Sequence, residues 1–515
     1  MNILQYAPVS EQTFTQFLFH NRRNRIILYL AAAAIILQFI IFKYLYPFIN
    51  YVDRDSFGYL NAAYENLTIA THPIGYSKFL RLVIVFAKPD LILVSLQYLM
   101  IQSSSLFLLF TIFYFYKVGH VTQAILFCFM IVNPLSLHLG NMVSSDGPFL
   151  ALSTTWFALL LWIIYKPSNK IIFWHAIVLF AAFTVRYNAL IYPIIALLAF
   201  GLSKLPIRKK LAGLGLALLL IGWFMGLSMY QYKKLTGYWQ FSPFSGWLLA
   251  NNAMSAYREV DNPDREPVPL KFRALDNMIR KFYDMNPTLQ LEEANFLYMW
   301  TWQSPLMQYW DSLFKKDTSS SYFKKWASLG PLYSSYGLYI IKKYPLHFLR
   351  YYAWPNFLNY LYPYVEFQGY YNTGGLPTVR ESAVKWFGYT NNQVKIKNGR
   401  ASILKPYPYI VCISNLILFL MLLSYLFLKG WQYSPSFNKI ILLAGFAWTV
   451  NAGFTIFTCP AALRFQAFPA LLSATFSLLL IDWMAQLIPY MKIQNQQQNP
   501  DSEHSVVSTI ITNGK

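Results

Sequence analysis

Charge is scarce in this chain, and negative charge is scarcest. Only 12% of the 515 residues are charged, with 21 Asp and Glu against 42 Lys and Arg. Soluble domains carry about 25% charged residues, so the soluble globular class is excluded. Cysteine is nearly absent: Cys128, Cys412 and Cys459 are all there is. None has metal-ligand spacing and no disulfide framework is visible. A cleaved leader is not expected either. Residues 1–25 are polar and end in Arg22-Arg23-Asn24-Arg25. The apolar run that follows is longer than an h-region of about 7–15 residues, so it reads as a signal anchor with a cytoplasmic N-terminus.

What is present is apolar and aromatic: 56% hydrophobic residues, 19% aromatic. A membrane span needs about 20 apolar residues to cross about 30 Å of hydrocarbon. About ten such runs occur, near Ile26–Asn50, Leu91–Tyr116, Val121–Leu139, Phe149–Tyr165, Ile171–Val185, Ala189–Leu202, Leu211–Tyr230, Tyr409–Leu428, Ile440–Phe457 and Ala461–Ile481. The fifth and sixth are short. The expected fold is an all-α integral membrane protein. A net charge of +21 would suggest nucleic acid in a soluble protein. Here the basic residues gather at the ends of apolar runs, so anchoring to anionic lipid is the simpler cause and no nucleic-acid partner is expected.

Short loops on alternate sides differ in charge. One set holds Lys117, Lys166, Lys170, Lys204, Arg208, Lys209, Lys210, Lys429 and Lys439; the other holds Asp146, Arg186 and Arg464. Positive charge marks the cytoplasmic side. The chain then divides into a cytoplasmic N-terminus (1–25), a membrane region (26–230) with an outer segment near 51–89, an external region (231–408), C-terminal spans (409–490) and a tail (491–515). The tail, rich in Gln and then Ser/Thr, is expected to be disordered. In the external region Tyr339–Tyr352 mixes cations, aromatics and aliphatics, as in a helix lying along the lipid interface. A multi-pass protein of a bacterial plasma membrane fits these features.

Polar clusters at the outer ends of spans are the candidates for chemistry, because ionisable groups at a membrane boundary are usually functional. Tyr51-Val52-Asp53-Arg54-Asp55-Ser56-Phe57-Gly58-Tyr59 follows the first span. Asp55 and Tyr59 are four apart and share a helical face. Thr71-His72-Pro73-Ile74-Gly75-Tyr76 must contain a turn, since the residue before proline avoids helix. Asp146 sits in Ser144-Ser145-Asp146-Gly147-Pro148-Phe149. For Asp53, Asp55 and Asp146, helix capping is the competing reading. Arg186, in Thr184-Val185-Arg186-Tyr187-Asn188, and Arg464 reverse the usual charge bias of outer loops. A guanidinium matches phosphate, so they are candidates for an anionic ligand; salt bridges to Asp53, Asp55 or Asp146 are the alternative.

The ordered set Asp55-Ser56-Phe57-Gly58-Tyr59, His72-Pro73-Ile74-Gly75-Tyr76, Asn133-Pro134, Ser145-Asp146-Gly147-Pro148-Phe149 and Arg186-Tyr187-Asn188-Ala189 resembles the GT-C glycosyltransferases. The likeness is to the family-39-like branch of protein O-mannosyltransferases and aminoarabinose transferases. It covers about the first 200 residues, and the later half matches in layout only. The resemblance implies a GT-C-like bundle and transfer of a sugar from a polyprenyl-phosphate donor to a hydroxyl or lipid acceptor at the outer face. It implies Asp55 as the acidic residue of the catalytic centre, acting as general base, with Asp53 and Asp146 as further catalytic candidates. Tyr59, His72, Tyr76, Arg186, Tyr187, Asn188 and Arg464 would then bind substrate. The family often has a second acid directly after the first; here that residue is Ser56. A divalent metal is possible, with Asp53, Asp55 and His72 as its candidates, and no metal ligand is assigned. A non-catalytic flippase or transporter of a lipid-linked sugar, or an O-antigen polymerase or ligase, is the alternative.

Overall fold

In the computed structural model the described residues are 12–86, 88–286, 299–366, 376–394 and 402–498. Among them, the protein is helical throughout, with only isolated bridges in place of strands. Eight helices among the described residues are long and apolar enough to cross a membrane: Arg22–Leu45, Asp90–Phe115, His120–Gly140, Asp146–Tyr165, Ile207–Thr236, Ser402–Phe427, Pro435–Thr458 and Ala467–Ile488. The two short expected runs are the helices Asn169–Val185 and Tyr187–Leu202.

These helices share one apolar core. Asp146–Tyr165 is its axis, with 83% of its apolar window buried, against 11% for Arg22–Leu45. The first span therefore lies at the margin, with Tyr29, Leu30, Leu37 and Ile40 exposed as lipid-facing side chains. The third span is broken at Asn133-Pro134. The Asn133 side chain accepts from the Leu135 amide at 3.0 Å, and Pro134 sits at the first helical position, where its missing N–H is harmless.

The region after Thr236 builds a second core. Helices Pro243–Tyr257, Arg273–Met285, Pro305–Phe314, Tyr322–Ser328 and Gly330–Lys343 bury Trp247, Trp326, Tyr333 and Tyr336 together. Pro243–Tyr257 packs against Gly330–Lys343 at close range. A Cβ at Gly337 would meet the Leu249 backbone at 2.7 Å.

Three expectations change. Tyr339–Tyr352 is not one helix. It stops at Tyr344, because proline follows, and resumes as Pro345–Phe348 and a π-turn at Leu349–Ala353. Its two faces still differ: Leu346 and Leu349 are exposed, Phe348 and Tyr352 buried. The last span begins at Ala467 rather than Ala461, since Cys459 is extended ahead of Pro460. The same helix continues to Gln498, past the expected start of the irregular tail. Residues 499–515 lie outside the described residues.

Candidate active site

The ends of five segments meet on one side of the bundle, and backbone pairing explains how. Asn50 and Met142 form a parallel bridge. The Asn50 amide donates to the Asn141 carbonyl at 2.7 Å, and the Val143 amide to the Asn50 carbonyl at 2.9 Å. Ser56 Oγ accepts from the Val52 amide and donates to the Val143 carbonyl, each at 2.7 Å. So the helix Asp53–Tyr64 starts beside the start of Asp146–Tyr165. Asp55 and Asp146 both sit in first turns, where the helix dipole favours negative charge.

The turn around Pro73 then doubles back. Tyr59 packs between His72 and Tyr76, with ring centroids at 4.9 and 4.8 Å, and its hydroxyl pairs with Ser145 Oγ at 2.9 Å. Tyr76 donates to Gln97 Oε1 at 2.8 Å, and Gln97 Nε2 binds the Gly140 and Met142 carbonyls. Gly75 allows the approach of Arg186. A Cβ there would stand 2.5 Å from the Thr184 carbonyl, so any side chain would push the His72 turn away.

Arg464 arrives on the link between the last two spans, which side-chain amides hold open. Asn356 Nδ2 donates to the Ile456 and Cys459 carbonyls, each at 2.8 Å, while its Oδ1 accepts from the Ala461 amide at 2.9 Å. Asn252 Nδ2 donates to the Thr458 carbonyl at 3.0 Å. The Leu463 amide donates to the Tyr364 carbonyl at 2.9 Å, which brings Glu366 alongside.

The result is a buried ionic cluster. Arg464 Nη1 lies 2.9 Å from Asp55 Oδ2 and 3.2 Å from Asp146 Oδ2, and its Nε is 2.5 Å from Glu366 Oε2. Arg186 pairs with the other Asp146 oxygen. Ser144 Oγ donates to Asp146 Oδ2 at 2.5 Å. His72 Nε2 is 3.5 Å from Asp55 Oδ1. Both guanidiniums lie over the Phe465 ring, at 4.7 Å for Arg186 and 4.3 Å for Arg464. The cluster has a floor and an edge. The side chains of Asp146, Arg464 and Glu366 are at most 5% exposed, whereas Asp55 is 26% and His72 20% exposed.

Asp55 and Asp146 are thus not caps: neither helix start has a side-chain cap, and the two carboxylates turn to Arg464, hundreds of residues away, and Asp146 to Arg186 as well. Burial works against the charge of Asp55, but the Arg464 guanidinium beside it outweighs burial and holds the carboxyl below the usual carboxylate range. Burial also pushes His72 below its ordinary value, leaving it neutral at pH 7, and pushes Glu366 above the usual range. The Tyr59 phenol is pushed up to about 12 by burial, so it remains a hydrogen-bonding hydroxyl.

Of the expected residues, Asp55, Tyr59, His72, Tyr76, Asp146, Arg186 and Arg464 come together. Tyr187 packs on Phe241 at 4.4 Å, next to Arg186. Asn188 lies half-buried in the same turn, and the ion pairs above do not include it. The Asp53 side chain lies outside what the structure describes. Among the described residues no three His, Cys, Asp or Glu side chains stand together as a metal-ligand group. Glu366 was not expected from the sequence; nothing in Tyr360–Val365 marks it except aromatic richness. Set against protein-family models, curated proteins and solved structures, the chain has no match.

Proposed function

We propose that this protein transfers a sugar from a polyprenyl-phosphate donor to a hydroxyl acceptor, as its resemblance to GT-C glycosyltransferases implies. The observation that carries this reading is that Asp55, alone among the cluster's carboxylates, is reachable from outside while touching a guanidinium. A base must meet the proton it removes, and a leaving phosphate must meet a cation. In this reading Asp55 draws the proton from the acceptor hydroxyl as that oxygen attacks the anomeric carbon. The bond from that carbon to the phosphate oxygen breaks, and Arg186 and Arg464 take the departing phosphate by exchanging a carboxylate partner. One direct displacement inverts the anomeric centre. The pH dependence follows from the depressed carboxyl: Asp55 stays ionised through the neutral range and loses its function only as pH falls through that lowered value.

Between the spans beside the cluster lies a narrow cleft with about 20 Å³ of free space, which a lipid tail would have to part the helices to enter. It is lined by Ser105, Asn133, Leu150, Tyr407, Ser414 and Ala467, among others. Leu150 is one helical turn below Asp146, and Ala467 follows Arg464 by three residues, so a tail there would bring its phosphate to the arginines.

In this reading the architecture is a ten-span bundle, with residues 231–408 outside the cytoplasm and the site on the outer face of a bacterial plasma membrane. In a chain whose native cysteines are replaced, Ser320→Cys is expected to react with an impermeant thiol reagent in intact cells. Protection at Ser320, with labelling of a cysteine at Lys209, reverses the topology.

Arg186→Lys tests the phosphate role. It keeps the charge and loses the planar fork. Losing a hydrogen bond to a charged group costs about 1.5–3 kcal/mol, so donor affinity should fall roughly ten- to a hundredfold, with the melting temperature retained. A stable variant that binds polyprenyl phosphate as the wild type does removes Arg186 from the phosphate site.

A further inference from the structure

Glu366 is one of the members of the cluster to which the reaction above gives no role. Its side chain is 5% exposed, and Arg464 Nε holds Oε2 at 2.5 Å. The other oxygen, Oε1, is buried and has no hydrogen-bond partner among the described residues. The residue has φ +44°, in the left-handed region that a side-chain-bearing residue rarely occupies and that stores strain at functional positions. The Tyr364–Leu463 backbone bond holds it there.

Among the described side chains the charges do not balance: Asp55, Asp146 and Glu366 face Arg186 and Arg464, and with His72 neutral these groups carry one negative charge in excess. Buried charge is tolerated only when paired. Bringing an anionic phosphate to the same arginines would add a second. Something positive must enter with it, and a proton is the smallest candidate. Asp55 and Asp146 each keep both oxygens within reach of a cation or a donor: Arg464 and His72 for Asp55, Arg186, Arg464 and Ser144 for Asp146. Among the described residues, Glu366 has one oxygen so placed and one without a partner, and that oxygen has room in its bonding for a hydrogen.

We propose that Glu366 is a positioning residue that takes up one proton when a lipid phosphate binds, releasing Arg464 to the phosphate. This rests on the glycosyl-transfer reading for the identity of the ligand. The proton comes from water, and the neutral acid keeps its place beside Arg464, with Oε1–H available to donate to a phosphate oxygen. Among the described residues, the charged and titratable groups around Glu366 are Arg464 and Cys459 on the link between the last spans, Asp55 from the first outer helix, and Arg186. Asp55 is held ionised, which leaves Glu366 and, through Asp55, His72 as the groups able to take the proton.

The experiment is a titration of purified full-length protein with a polyprenyl methyl phosphodiester, which carries a single charge at every pH used and has no sugar to lose. Affinity is read between pH 6 and 8.5, and proton uptake from the binding heat in two buffers of different ionisation enthalpy. In the wild type, one proton should enter, and affinity should weaken by up to about tenfold per pH unit as pH rises, the slope that one linked proton sets. Glu366→Gln, a neutral isostere of the acid, should bind with no pH slope and no proton uptake. His72→Gln should keep both. A wild type that binds without proton uptake overturns the proposal and leaves the glycosyl-transfer reading standing, as does a Glu366→Gln variant with the wild-type slope. No binding by the wild type at any pH overturns both. Should Glu366→Gln fail to fold, the other two proteins decide. Uptake of one proton by each supports the proposal, and its loss in His72→Gln moves the proton to His72.

Discussion

Asp55→Asn is expected to leave the protein folded and inserted while lowering sugar transfer by about 10²–10⁴-fold, the range that a positioned general base contributes. Amide and carboxylate are nearly isosteric, so the helix start at Val52–Ser56 and its bond to the Val143 carbonyl should persist. What disappears is the charge that faces Arg464 and His72, and with it, in the proposed reading, the acceptor for the hydroxyl proton. Turnover and melting temperature measured on the same preparation separate the two effects. Asp53→Asn is the paired control. Inactive Asp53→Asn beside active Asp55→Asn moves the base two residues back, and normal turnover in both ends the catalytic reading.

Arg464→Ala should have the largest effect on stability. It leaves Asp55, Asp146 and Glu366 without the cation they share, in a floor where Asp146 and Glu366 are almost wholly enclosed. Removing one partner of a buried ion pair costs about 3–5 kcal/mol, because the charge left behind has nothing to face. Thermal unfolding in detergent should show a clear fall in melting temperature. Adding Glu366→Gln to Arg464→Ala should recover part of it, since one of the stranded charges is then gone. An unchanged melting temperature for Arg464→Ala would mean that the carboxylates do not depend on this guanidinium.

Much of this architecture was legible before any coordinates. Apolar runs longer than a bilayer is thick mark spans, and the eight long helices fall on expected runs. Asp55, His72, Asp146 and Arg186 were visible because each interrupts apolar sequence at a boundary, and Arg464 because it reverses the loop charge bias. Their common location was not. A carboxylate at a helix start reads locally as a cap, and only the fold reveals that Asp55 faces an arginine 409 residues away. Glu366 was invisible for the same reason: its partner is 98 residues on, and its own surroundings read as an aromatic external stretch. The start of the last helix was placed at Ala461, inside the segment that carries Arg464; the chain is extended at Cys459 and the helix begins at Ala467, so Ala461–Phe465 is the link that delivers Arg464.

The central claim is that the bond between sugar and phosphate is broken at this cluster. The direct measurement is the fate of the donor: purified wild-type protein incubated with polyprenyl-phosphate sugars labelled in the sugar, with hydroxyl acceptors supplied. The account predicts free polyprenyl phosphate and labelled acceptor from at least one donor, and neither product from Asp55→Asn. Recovery of every donor intact by a folded wild type that binds the lipid, with labelled donor moved across a reconstituted bilayer, would contradict it and make the protein a carrier of lipid-linked sugar.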